Sequence, residues 1–158
     1  MTADDVYVGW WTASAERTLT EDIAAPPAAV RDFYVDLDNI MRVHPLVVSV
    51  RSISRTETAH GYVQTYRVHD RIPLGPVILP TRYVARLDVP VAGAVLTEAR
   101  QFPAVRLRGV VTFALTDGGT RLAEKIQITA PRVLAGVTVR EAVNAHTTML
   151  ANIRSHFA

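Results

Sequence analysis

The chain contains no cysteine, which excludes disulfides, thiolate metal ligands and thiol chemistry. A cysteine-free chain fits the reducing interior of a cell, so a cytoplasmic location is the expectation. Lysine is nearly absent as well: Lys125 is the only one among 17 basic residues. Aromatic residues make up 7% of the chain and do not interleave with the arginines. Stacking on single-stranded nucleic acid needs such interleaving, so no nucleic-acid partner is expected. No apolar run approaches the roughly 18 residues of a membrane span. The start, Met1-Thr2-Ala3-Asp4-Asp5, is acidic and has neither the basic nor the apolar region of a secretory leader. The five histidines, at positions 44, 60, 69, 146 and 156, lack zinc-ligand spacing. There is no glycine-rich phosphate loop and no Gly-x-Ser-x-Gly elbow. Neither a metal nor a cofactor is therefore expected.

What remains is an ordinary globular composition. The 158 residues, 49% apolar and 20% charged, suit a single domain over 1–158 with a sizeable core. The net charge of +2 is unevenly spread, with eight acidic and two basic residues in 1–40 against seven and fifteen thereafter. An arginine excess of this kind can bind phosphates or an acidic surface. It equally describes the solvated face of a sheet.

The hydrophobic periodicity changes along the chain. Residues 16–23 alternate as a first strand. Ala24-Ala25-Pro26-Pro27 stops it, and proline suits a helical first turn, so a short helix over 28–37 follows. A second short helix is predicted over 38–43, opened by Asp38 as its cap and ended by His44-Pro45. Strands are expected at 47–58, 62–70, 81–89, 94–102, 105–115 and 120–129. The last two join over Asp117-Gly118-Gly119. Arg71-Ile72-Pro73-Leu74-Gly75-Pro76 reads as a break, because its prolines fit a regular ladder poorly. No helix separates strands two to seven, so they should pair as an antiparallel meander. Val6 to Ala13, with Tyr7, Trp10 and Trp11, reads as a lid or an edge.

The final stretch, Pro131 to Phe157, shows helical periodicity. Val139, Ala142, Val143, His146, Met149, Leu150, Ile153 and Phe157 share one face. About 26 residues rising 1.5 Å each span roughly 39 Å, the width of a small domain, so this helix needs a partner surface along its length. Strand alternation supplies one. Leu107, Val111, Phe113 and Leu115 lie on one side, with Leu122, Ile126 and Ile128 on the partner strand, while Arg106, Arg108, Arg121 and Lys125 lie opposite. The fold class is α+β: a curved seven-stranded antiparallel sheet around a long C-terminal helix, with two short helices between strands 1 and 2.

This order of features resembles the START-like, or Bet v 1-like (SRPBCC), superfamily. The resemblance lies in Ile23-Ala24-Ala25-Pro26-Pro27, Asp36-Leu37-Asp38-Asn39, His44-Pro45, six strands, Ala130-Pro131 and the last helix. Bacterial polyketide cyclase/dehydrase-like members are the nearest in kind. The resemblance implies a helix-grip fold with a hydrophobic cavity between sheet and helix. It implies no single activity, since members carry lipids, sterols and polyketides or act as cyclases.

Four polar residues fall on faces predicted to point inward: Glu21, Gln64, Glu124 and His146. Burying a carboxylate is costly unless it is paired or protonated. A Glu124–His146 couple could perform acid/base work such as enolisation or dehydration of a polyketide. It could equally be a satisfied internal hydrogen bond. Phe33, Tyr34, Tyr62, Gln64, Tyr66, Tyr83, Phe102, Phe113, His146 and Met149 are the candidate ligand contacts, although aromatic residues on strands more often fill cores. Loops at Pro73–Pro76 and Phe102-Pro103 should flank the cavity mouth. The entrance is expected between the two short helices and the last helix. A lipophilic small molecule is the expected partner. A cyclase or dehydratase, and a docking module using the arginine face, are the alternatives. Oligomeric state stays open.

Overall fold

The computed structural model describes residues 10–158; Tyr7 of the expected lid or edge segment lies outside them. Seven strands form one antiparallel sheet: β1 Thr12–Ile23, β2 Val47–Thr58, β3 Gly61–Leu74, β4 Val77–Pro90, β5 Val95–Gln101, β6 Val105–Thr116 and β7 Gly119–Pro131. Their spatial order is β1-β7-β6-β5-β4-β3-β2. Two short helices, α1 (Pro27–Val35) and α2 (Leu37–Val43), carry the chain from β1 at one edge to β2 at the other. The long helix α3 covers Arg132–His156. A sheet around the last helix is what the hydrophobic pattern predicts, and the helix grip is what the resemblance implies; the structure has both.

Local sequence explains the short helices. Pro26 and Pro27 occupy the cap and first position of α1, which needs no N–H there, and Val30, Phe33 and Tyr34 bury one face. In α2 the buried residues are Leu37, Ile40 and Val43, spaced three apart. Its cap is Asp36 and not Asp38: Asp36 has extended backbone angles, and its carboxylate accepts a 3.0 Å hydrogen bond from the Asp38 amide. Pro131 belongs to the end of β7 and caps α3 without entering it.

The predicted break over 71–76 is a continuation of two strands. Arg71 pairs with Pro80, Ile72 with Leu79, Pro73 with Ile78 and Leu74 with Val77. Only Gly75 and Pro76 form the turn, with Gly75 at φ 61°, where glycine is unstrained. The prolines are tolerated because β3 loses its β2 partner beyond Asp70 and β4 gains its β5 partner only at Val84. Past Arg71, whose amide donates to Leu46 O, the tip is therefore a two-stranded ribbon without a neighbouring strand on either side, and proline gives up no ladder bond there. At the other edge, β1 starts four residues before the predicted Glu16, because Thr12 pairs with Pro131.

Helix α3 lies mainly against β1 and β7 and touches α2. Its buried residues, Ala145, Met149, Leu150 and Ile153, all fall in its C-terminal half. Met149, Leu150 and Ile153 join Ile23, Val30, Phe33 and Leu122 in the core. On the convex face, Arg121 pairs with Asp22 at 2.8 Å, Lys125 with Glu16 at 3.3 Å and Arg106 with Glu98 at 3.1 Å. No helix among the described residues is long and apolar enough to cross a membrane.

Candidate functional site

Because α3 rests on one side of the curved sheet, space remains between it and the central strands. That space is a cavity of about 980 Å³. Its sheet wall includes Val68, Ala85, Leu87 and Ile126, and its helix wall includes Leu134, Val137, Ala142, Ala145 and Met149. A second, shallower recess of about 540 Å³ lies outside it, between β1 and α3.

The mouth can be located from the exposure of the lining. Phe102 is 91% exposed, Leu79 44% and Leu134 37%, and all three line the cavity. The opening therefore lies between the β3–β4 ribbon, the β5–β6 loop and the first turns of α3. The expected entrance between the short helices and α3 is closed. Asn152 Nδ2 donates to Val43 O at 2.8 Å, tying α3 to α2. Beside it the Phe33 ring packs on His156 at 4.4 Å and on Phe157 at 5.5 Å.

Two groups of polar side chains interrupt the apolar wall. The first centres on Glu124, which is 1% exposed. Tyr34 Oη donates to Glu124 Oε1, and His146 Nδ1 lies 2.8 Å from Oε2, so both carboxylate oxygens have partners. Burial, then the charge and hydrogen bond of Glu124, hold the Tyr34 hydroxyl well above the usual tyrosine range. Burial of His146 opposes its protonation, but Glu124, by charge and hydrogen bond, and Asp70, by charge, outweigh that and raise its pKa.

The second group is Asp70, Tyr83 and His44. Burial pushes the Asp70 carboxyl up to about 6, opposed by a hydrogen bond from Tyr83 and the charge of His146. Burial, with the Asp70 charge and hydrogen bond, holds Tyr83 well above its ordinary range. Burial and the neighbouring His146 push His44 down to about 3, so it is neutral. Its Nδ1 accepts the Leu46 amide at 3.2 Å, which puts the ring proton on Nε2. The rings of His44 and His146 stand edge to face, with centroids 5.6 Å apart. A histidine bonded to one carboxylate, within electrostatic reach of a second and beside a neutral imidazole can hold or pass a proton.

Of the residues singled out by sequence, Tyr34, Tyr83, Phe102, His146 and Met149 line the cavity. Glu124 lies behind Tyr34 and His146, bonded to both. The others have different partners. Phe33 closes the far end with His156 and Phe157. Phe113 packs edge-on to Tyr34, with the Arg31 guanidinium 6.0 Å from its ring centre. Tyr62 lies under Arg55, whose guanidinium is 3.7 Å from the ring centre. Gln64 donates to Ser52 Oγ at 2.6 Å, and Tyr66 hydrogen-bonds the Leu37 backbone. Glu21 faces α3 and accepts from Arg154 at 2.6 Å.

Sequence reasoning missed Asp70 and His44. Asp70 carried a usable signal, since it shares the inward parity of Gln64, Tyr66 and Val68 on β3. His44 carried none: it ends a helix, and only the path from α2 into β2 brings it to the cavity.

No protein-family model matches the chain, and no curated protein matches it. Solved structures do. The protein TTHA0849 from Thermus thermophilus shares 18% identity at a TM-score of 0.68, over 91% of this chain and 94% of its own. The Zhui aromatase/cyclase from Streptomyces sp. R1128 shares 18% at 0.64, over 90% and 93%. A STAR-related lipid transfer protein fragment from Xanthomonas axonopodis shares 16% at 0.58, over 90% and 85%. At these identities the likeness is one of fold, and the fold is the START-like helix grip.

Proposed function

We propose that this protein binds a lipophilic small molecule, a lipid or a polyketide, in the cavity under α3, as a carrier or sensor. The observation that carries this reading is the cavity itself, about 980 Å³ with mostly apolar walls and a few polar groups converging on it. That is the usual form of a small-molecule site. Apolar burial at roughly 25 cal/mol per Å² would supply the affinity, and the polar groups would fix orientation. Two proteins of the same fold are named as an aromatase/cyclase and a lipid transfer protein, which fits this ligand range. A cytoplasmic carrier agrees with the cysteine-free composition.

Native mass spectrometry of protein purified from its own organism tests the reading, with a co-purifying lipophilic mass as the expected result. Ala85→Phe, which fills the cavity floor, should abolish that mass. An adduct that survives the filled cavity would overturn the proposal.

A second reading, a polyketide aromatase/cyclase or dehydratase, rests on the Glu124–His146 contact of 2.8 Å beside the cavity. It requires that His146→Ala abolish turnover of a bound polyketide while leaving binding intact. A third, docking through the arginine face, is weakened by the cross-strand ion pairs that partly neutralise that face.

A further inference from the structure

Asp70 and Thr81 are opposite one another in the β3–β4 register, and both line the cavity. Asp70 Oδ1 and Thr81 Oγ1 are both buried, and neither has a hydrogen-bond partner among the described residues. Only one other buried side-chain atom among those residues, Arg106 Nε, shares that state. Two of the three thus fall on a single rung of the sheet, facing the same cavity. Folded proteins leave few buried polar atoms unpartnered, because each forfeits its interaction with water for nothing. Two on one rung of a cavity wall mark a place where a partner comes from outside the chain.

We infer that the ligand carries a neutral hydroxyl group that seats on the Asp70–Thr81 rung, donating to the Asp70 carboxylate and accepting from the Thr81 hydroxyl. This rests on the reading of the cavity as a ligand site and adds the chemical class of the ligand: a hydroxylated lipophile. Chemistry disfavours the charged and the acceptor-only head groups. A carboxylate or phosphate would meet the Asp70 charge. A ketone or ester carbonyl can accept from Thr81 but has nothing to give Asp70. An ammonium would satisfy both groups, but the rung is flanked by Arg71 and Arg82, both exposed and without an ion pair among the described residues. It also lies close enough to His146 for the two charges to interact. A hydroxyl adds no charge and both donates and accepts. Tyr83, two residues along β4 and hydrogen-bonded to Asp70, holds the carboxylate in place.

The test compares 2-naphthol with naphthalene, binding to the full chain by calorimetry. Naphthalene is the more hydrophobic, so a purely apolar cavity would prefer it. The rung predicts the reverse, with 2-naphthol bound about tenfold more tightly or better, since buried polar groups reject an analogue that lacks the matching hydroxyl. Asp70→Ala should remove that preference, and the near-isosteric Thr81→Val should cut it several-fold, each read as the ratio of 2-naphthol to naphthalene affinity in the same variant. Circular dichroism checks that each variant folds, and Thr81→Val keeps the test alive should Asp70→Ala fail to fold. Equal binding of the two probes, unaltered by either substitution, would mean that water alone serves the rung and would overturn the inference while leaving the cavity a ligand site. Failure of both probes to bind would overturn the two together.

Discussion

The two ends of the cavity are built on opposite rules. At the closed end, the C-terminal half of α3 buries Ala145, Met149, Leu150 and Ile153, and Phe33, His156 and Phe157 stack around it. The buried carboxylate there, Glu124, has a partner on each oxygen. At the open end, the N-terminal half of α3 has no fully buried side chain after the cap, and Val133 is 91% exposed. Ile78 on the β3–β4 ribbon is 62% exposed, and the buried carboxylate, Asp70, lacks a partner on one oxygen among the described residues. Packing and polar satisfaction are concentrated where the chain holds itself together. Exposed apolar groups and unmet hydrogen bonds are concentrated where something else can enter. Tight packing and openness are thus divided along one helix.

That division can be broken at its strongest point first. Glu124→Ala should destabilise the fold by about 3–5 kcal/mol, because it leaves the buried Tyr34 hydroxyl and His146 without a partner. Urea unfolding measures it, and a loss below about 1 kcal/mol would mean the closed end does not depend on this network. Next, Ile153→Ala should cost about 2–5 kcal/mol by opening a void in a fully packed site. The same truncation of Leu134, which is 37% exposed at the mouth, should cost about 0.5 kcal/mol or less. Equal losses from the two would erase the distinction between the halves of α3.

Asp70 sharpens the comparison through pH. Its carboxyl titrates near 6 in the folded protein against the ordinary 3.8. Between those values the unfolded chain has already lost the proton that the folded protein keeps, so stability falls as pH rises from about 4 to about 6 and the cost stays constant above that. Asp70→Asn keeps the shape and removes the charge. It should therefore be more stable than the parent by about 2–3 kcal/mol at pH 8, with the gap closing near pH 4, followed by thermal unfolding across that range. A gap independent of pH would show that the carboxyl is not strained by burial. The smallest effect is expected at Phe102, 91% exposed on the rim. Phe102→Ala should leave stability within about 0.5 kcal/mol while changing the rate at which a bound probe leaves, read by stopped-flow fluorescence.

Much of this arrangement was legible in the amino-acid order. Strand alternation, the Pro26-Pro27 start of α1, the Asp117-Gly118-Gly119 turn and the long periodic stretch after Pro131 are local signals. Period and turn chemistry act over a few residues, so they survive without knowledge of the fold. Parity along a strand likewise put Glu124 on the inner face, and helical phase put His146 on the stripe that meets it. The tertiary structure alone decided the rest. It made Pro73 and Pro80 strand residues, because only the sheet order leaves that ribbon without neighbours. It closed the expected entrance with Asn152 and the Phe33 stack and opened another beside Phe102. It assigned Phe113 and Tyr62 to arginine and ring contacts away from the cavity wall, and it brought His44 and Asp70 to that wall. A cavity is the distance between elements far apart in the chain, and no local pattern encodes a distance.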